Sequence, residues 1–114
     1  MAGISTHVLD STQGKPIHGV TIELYDLDTT PPTLLNKTAS NADGRTDAPV
    51  LAPDAARPGR FELRFHVGPY FEARGETAPL AQEVLVRFNV FDAKQHYHVP
   101  LLCSPWAFST YRGS

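Results

Sequence analysis

The chain has 114 residues, with 12 acidic side chains against 10 basic ones and a single cysteine. That length sets one domain, residues 1–114, as the default, with enough chain to bury a core without disulfides or metals. The interspersed charge, net −2, excludes a basic stripe for nucleic acid or for an anionic membrane, and one cysteine excludes an intrachain disulfide.

The first residues, "MAGISTHVLD", lack a basic segment followed by an apolar one, so no signal peptide is expected. No apolar run approaches a membrane span. The last three residues, Arg-Gly-Ser, are not a peroxisomal address. The expectation is a soluble, cytoplasmic domain.

In chain order, "STHVLD" (5–10) is a short strand candidate, followed by the turn "STQGKP" (11–16), where Gly14 supplies positive φ. "VTIELYDL" (20–27) alternates: Val20, Ile22 and Leu24 share one face, Thr21, Glu23 and Tyr25 the other. Period two of this kind predicts a half-buried strand. After "DTTPP" comes a shorter candidate, "LLNKTAS" (34–40), then the turn "NADG" (41–44), with Gly44 again at positive φ. Pro31-Pro32 and Pro53 argue against helix in their neighbourhoods. "RFELRFHV" (60–67) places Phe61, Leu63, Phe65 and Val67 inward, and Glu62, Arg64 and His66 outward. "YFEARGE" (70–76), after Gly68-Pro69, is the one helical stretch, about two turns long. "EVLVRFNV" (83–90) turns Val84, Val86, Phe88 and Val90 inward, and "HYHVPLL" (96–102) and "WAFSTYR" (106–112) complete the set. Seven or eight short strands with one small helix predict an all-β, antiparallel β-sandwich.

The candidate chemistry gathers near the end. Tyr97, Val99 and Leu101 share the core face of "HYHVPLL"; His96, His98, Pro100 and Leu102 share the other. Apolar residues on a face that should be wet, reinforced by Trp106, Phe108 and Tyr111, suggest self-association with His98 near the interface. By spacing alone, His96 and His98 read as surface histidines. A metal reading would draw on His7, His18 or His66, but no cysteine or carboxylate cluster supports one, so no metal is expected. His7 alone reads as a polar strand residue. Arg45 reads as a solvated charge beside the Asp43-Gly44 turn, and Cys103 as an inert core thiol. Neither a nucleophile elbow nor a phosphate loop occurs. The residues by themselves therefore reach an oligomeric β-sandwich with histidines on an associating face. An enzyme, a small-ligand carrier and a structural module all remain open.

Four blocks, in order, carry more: "STHVLDSTQGKPIHGVTIELY", "NADGRTD", "GPYFEARG" and "HYHVPLLCSPWAFSTYRGS". Across nearly its whole length the chain resembles the transthyretin-like family, and within it the 5-hydroxyisourate hydrolases. The ending Tyr111-Arg112-Gly113-Ser114 is similar to the signature that separates those enzymes from the hormone carriers. The resemblance implies a transthyretin-like sandwich with His7, Arg45 and His98 as catalytic residues. It implies that Tyr111, Arg112, Gly113 and Ser114 bind substrate, and that no metal or organic cofactor is needed. It further implies a homotetramer, a dimer of dimers whose second interface forms a channel holding two active sites. The substrate implied is 5-hydroxyisourate, opened at its N1–C6 amide to a ureidoimidazoline, with the two histidines dividing the acid and base roles and Arg45 offering a planar fork of donors. The sequence departs from the family pattern at Cys103, Trp106 and "ETAPLAQ" (76–82), away from the catalytic trio.

Overall fold

A computed structural model of the chain describes residues 3–113. In chain order its strands are β1 (Gly3–Ser5), β2 (Val8–Asp10), β3 (Lys15–Pro16), β4 (Thr21–Asp26), β5 (Thr33–Ala39) and β6 (Gly59–His66). A short helix, α1 (Gly68–Ala73), precedes β7 (Glu83–Val90), β8 (His96–His98), β9 (Leu101–Cys103) and β10 (Phe108–Thr110).

The long alternating segments make one antiparallel sheet, ordered β5-β4-β6-β7. Its register stacks the inward residues in rows: Ile22 opposite Phe65, Leu24 opposite Leu63, and Leu63 opposite Val86. Val20, Ile22, Leu24, Phe61, Leu63, Phe65, Val67, Val84, Val86 and Val90 are buried as the alternation predicts. Phe88 is only partly buried and packs against this core. Burying a side chain of this size is worth about 1.5–3 kcal/mol, so this face drives the sheet's closure onto its partner.

The partner sheet runs β10-β9-β2-β3, and β1 pairs with β8 beside it. Both β1–β8 and β2–β9 are parallel pairs, and they keep one register: Ser5 faces His98, and Val8 faces Leu101. Backbone bonds from Val99 N–H to Ser5 O (2.9 Å) and from Leu101 N–H to His7 O (2.8 Å) bridge the gap between them. Thus β1 and β2 are halves of one interrupted strand, as are β8 and β9, and the ten segments amount to the seven or eight strands expected. The parallel pairing corrects the purely antiparallel reading. Parallel neighbours need a long crossover, and here almost the whole domain supplies it between the chain's two ends.

Three further differences have local causes. A single 3-10 turn occupies Pro53–Ala55, where no helix was expected; proline is tolerated in a first turn because its missing N–H would be unpaired there anyway. Helix α1 starts at Gly68 with Pro69 in its first turn, two residues before the expected start, and ends at Ala73. Lys15–Pro16, expected as turn, pairs with Leu9 and Asp10. Gly14 and Gly44 have φ of 64° and 76°, as their turns require. Pro100, expected on the outer face, is buried, whereas Trp106, Phe108 and Tyr111 stay exposed. Among the described residues no helix is long and apolar enough to cross a membrane. Cys103 is buried, and burial pushes its thiol up to about 12, which keeps it inert.

Two buried carboxylates join the elements. Glu62, predicted to face water, is fully buried between Arg64 Nε (2.5 Å) and Arg87 Nε (2.7 Å), with Arg64 lying over the Tyr25 ring at 4.0 Å. Asp10 ties α1 to β2: it accepts from Tyr70 OH (2.7 Å) and Arg74 Nη1 (2.8 Å), and from Thr12 N–H (2.8 Å) and Thr12 Oγ1 (2.6 Å). Burial opposes the Asp10 charge, but the hydrogen bonds from Thr12 and Tyr70, with the Arg74 charge, outweigh it and hold the carboxyl below its usual range. Asp10→Ala is therefore expected to destabilise the fold by about 2–4 kcal/mol, seen as a lower urea midpoint with an unchanged slope. Because the folded value is depressed, the stability that Asp10 contributes is present above its unfolded value and is lost as pH falls through the folded one. The variant should lose correspondingly less stability in acid.

Candidate active site

The turn after β5 is built by Asn41. Its Oδ1 accepts from Asp43 N–H (2.9 Å) and Arg45 N–H (3.2 Å), and its backbone N–H donates to Arg45 O (2.7 Å). This folded turn docks on the start of β2, where Val8 N–H donates to Gly44 O at 2.7 Å. A Cβ at position 44 would lie 2.4 Å from Val8 O and 3.2 Å from His7 Cδ2, so only glycine permits the approach. The docking sets Arg45 beside His7. His7 Nε2–H donates to Asp43 O at 2.8 Å, which fixes the ring's tautomer and leaves Nδ1 available. Arg45 is exposed on the rim, and among the described residues its guanidinium has no hydrogen-bond or ion-pair partner.

His98 reaches the same neighbourhood from the other end of the chain, through the parallel register. Its ring is half-buried, and Nδ1 lies 2.8 Å from Ser5 Oγ. The same hydroxyl lies 2.7 Å from His96 Nε2. Burial, then the Arg45 charge, then His7 and His96, hold the His98 imidazole below its ordinary value of 6.5. The ring is therefore neutral at neutral pH and able to accept a proton. His7, Arg45 and His98, dispersed in sequence, thus share one electrostatic neighbourhood.

The tail divides. Gly113 pairs with His98 in an antiparallel bridge, donating to His98 O at 2.6 Å, and a Cβ there would sit 3.1 Å from the His98 ring. Arg112 instead lies over the Tyr97 ring at 4.6 Å and donates to Gln95 Oε1 and His96 O, both at 3.1 Å. Tyr111 and Arg112 line a hollow of about 250 Å³ against β7, whereas Arg45 lines a separate shallow cleft of about 200 Å³ with Ser5 and Thr6. Neither histidine lines that cleft. Ser114 lies outside the described residues. Among the described residues no three His, Cys, Asp or Glu side chains gather as metal ligands.

Two residues escaped the sequence reading. Asn41 carries the turn, and its place before Asp-Gly was the available signal. Ser5 shares a strand face with His7 by simple alternation, but its contact with His96 and His98 depends on a partner strand about 90 residues away.

The chain matches the model of the HIUase/Transthyretin family over residues 4–113. A 5-hydroxyisourate hydrolase of Pseudomonas aeruginosa is 47% identical over 117 residues, which span 100% of this chain and 93% of that protein. Among solved structures, the 5-hydroxyisourate hydrolase of Klebsiella pneumoniae superposes with a TM-score of 0.84 at 31% identity, covering 100% of both chains. Transthyretin from Sparus aurata superposes with a TM-score of 0.87 at 21% identity, over 99% of this chain and 97% of that one, which is a likeness of fold. By fold and by full-length similarity, this chain belongs to the HIUase/Transthyretin family.

Proposed function

We propose that this protein hydrolyses 5-hydroxyisourate, opening the ring at the N1–C6 amide. The observation that carries the reading is the meeting of a neutral, half-buried His98 with His7 and an uncommitted Arg45 guanidinium. Full-length similarity to hydrolases of that name supports it.

Amide hydrolysis needs a base for water, a donor for the developing oxyanion and a proton for the leaving nitrogen. His98 is the base: Nδ1 is engaged by Ser5, so Nε2 takes the proton from the attacking water. Arg45 presents a planar fork of N–H donors to the carbonyl oxygen as negative charge builds there. His7, held through Nε2–H by Asp43 O, keeps Nδ1 bare, and through it passes to the leaving ring nitrogen the proton that His98 took from water, so both histidines end neutral. Gly113 pins the His98 backbone, and the family resemblance assigns Tyr111, Arg112 and Ser114 to substrate binding, Tyr111 and Arg112 lining their own hollow against β7. The residues cover each proton and charge of the reaction, so no metal or organic cofactor is called for.

We place these sites in a homotetramer, a dimer of dimers. Strands β7 and β10 are both open sheet edges, and Trp106, Phe108 and Tyr111 expose apolar surface at 68%, 41% and 60% of their area. Edges and patches of this kind are ordinarily covered. Sedimentation at micromolar concentration tests this, with four chain masses expected. A cytoplasmic setting suits the single, buried, reduced thiol of Cys103.

The function is tested by forming 5-hydroxyisourate from urate in situ and following its ultraviolet absorbance. Acceleration over spontaneous decay is expected, and an unchanged decay would overturn the reading in favour of a carrier. His98→Ala and His7→Ala should each lower turnover by about 10²–10⁴-fold with the fold intact by circular dichroism.

The pH profile follows from the lowered His98 value. The base acts when neutral, so kcat/KM should hold on the acid side of neutrality and fall only once pH drops below the ordinary 6.5. A limb above 6.5 would remove His98 from the role of base.

Deleting residues 111–114 should leave a folded sandwich, because the core lies upstream, yet abolish turnover by freeing the His98 backbone from Gly113. Circular dichroism alongside the absorbance assay distinguishes the two effects; full activity in the truncated protein would exclude the tail from the site.

A further inference from the structure

Ser5 stands in an unusual position. In the parallel ladder its Cα partner is His98, and His96, two residues earlier, projects from the same face. Its hydroxyl therefore falls between two imidazoles, 2.7 Å from His96 Nε2 and 2.8 Å from His98 Nδ1. The backbone beneath it is held by Val99 N–H donating to Ser5 O at 2.9 Å, so the hydroxyl has little freedom to leave.

A serine hydroxyl has one proton and two lone pairs. Facing two ring nitrogens, it can donate to only one of them, and the other ring must donate to it. The choice decides which nitrogen of His98 carries a proton. If Ser5 donated to His98, the His98 proton would sit on Nε2. Among the described residues, the charged and titratable groups around the ring are Arg45, His7 and His96. None is a carboxylate, and among the described residues Nε2 has no hydrogen-bond acceptor. Near the Arg45 guanidinium an added N–H dipole is unfavourable, whereas a lone pair is stabilised.

The geometry points to Ser5 as a positioning residue for the hydrolysis: it gives its proton to His96 Nε2, accepts Nδ1–H of His98, and so keeps Nε2 of His98 as the proton-accepting nitrogen. This rests on the functional reading above, and assigns to the "STH" stretch a task beyond strand formation. A histidine free in water carries its proton mainly on Nε2, which is the wrong form for a base acting from that atom. The bridge reverses that preference before substrate arrives. When His98 takes a proton from water it becomes an imidazolium, and its Nδ1–H then bonds more strongly to the same oxygen. No atom is exchanged with Ser5, which remains a hydroxyl throughout.

The test is nitrogen NMR of the intact protein with labelled histidine, above the His98 titration. Wild type is expected to show His98 protonated at Nδ1 and bare at Nε2. Ser5→Ala should shift His98 toward the Nε2–H form and lower kcat by about 10- to 100-fold, in line with the loss of partners that orient functional imidazoles, with KM within about twofold. Ser5→Thr keeps the hydroxyl and should restore both tautomer and kcat. An Nε2–H tautomer in the wild type, or an alanine variant with unchanged tautomer and kcat, would overturn the assignment. The spectrum needs no substrate, so a failed bridge is read apart from a failed functional reading, which the wild-type absorbance assay alone decides.

Discussion

The parallel ladder between residues 3–10 and 96–103 is the constraint on which the site hangs. It sets Ser5 against His98 and continues in one register to Asp10 against Cys103. The ladder is interrupted once, around Thr6 and His7 on one strand and Val99 and Pro100 on the other. There Pro100 has no N–H to give, and Thr6 Oγ1 donates to Val99 O at 2.6 Å to satisfy a carbonyl. The break frees His7 from regular pairing at the position where the 41–45 turn docks. A register slip of one residue would send Ser5 and His98 to opposite faces, and apolar residues on either side resist it: Ile4, Val8, Tyr97, Val99 and Leu101 are all buried.

The rest of the molecule holds this ladder still. The β5-β4-β6-β7 sheet supplies the apolar slab, and Asp10 anchors helix α1 to the end of β2 through Tyr70 and Arg74. Both fully buried carboxylates, Asp10 and Glu62, are met by arginine, so each satisfies its charge where water cannot reach. Among the described residues no buried side-chain nitrogen or oxygen lacks a hydrogen-bond partner. The polar interior is thus closed, and the guanidinium left uncommitted belongs to Arg45 on the rim of the site.

Two histidines of the same chain illustrate how environment divides function. His66 is held between carboxylates, with Glu23 at 2.8 Å and Glu83 at 3.2 Å, and serves the outer face of a sheet. His98 is half-buried among a guanidinium, two imidazoles and a serine hydroxyl, with no carboxylate among the described residues around it. The second setting favours a neutral ring that can accept a proton. The residue type is the same, and the partners delivered by strand pairing differ.

Much of this was legible from the sequence, because alternation is a local property. The inward rows of β4, β6 and β7 follow from period two, and Gly14 and Gly44 follow from turn chemistry that needs positive φ. The blocks around His7, Arg45 and His98, with the closing tetrapeptide, carried the family resemblance before any geometry. What the sequence could not decide was pairing over distance. Glu62 reads as a solvent-facing residue, and only the approach of Arg87 from the next strand buries it. Ser5 and His96 read as ordinary strand polars until the two chain ends lie side by side. Which strands become neighbours depends on how the apolar slab closes over the whole domain, and a side chain's hydrogen-bond partners follow from that closure. Local pattern therefore determined the strands, their buried faces and the residues available for chemistry. Tertiary structure alone decided that the ends run parallel, that one hydroxyl lies between two imidazoles, and that His98 is surrounded by groups that keep it neutral.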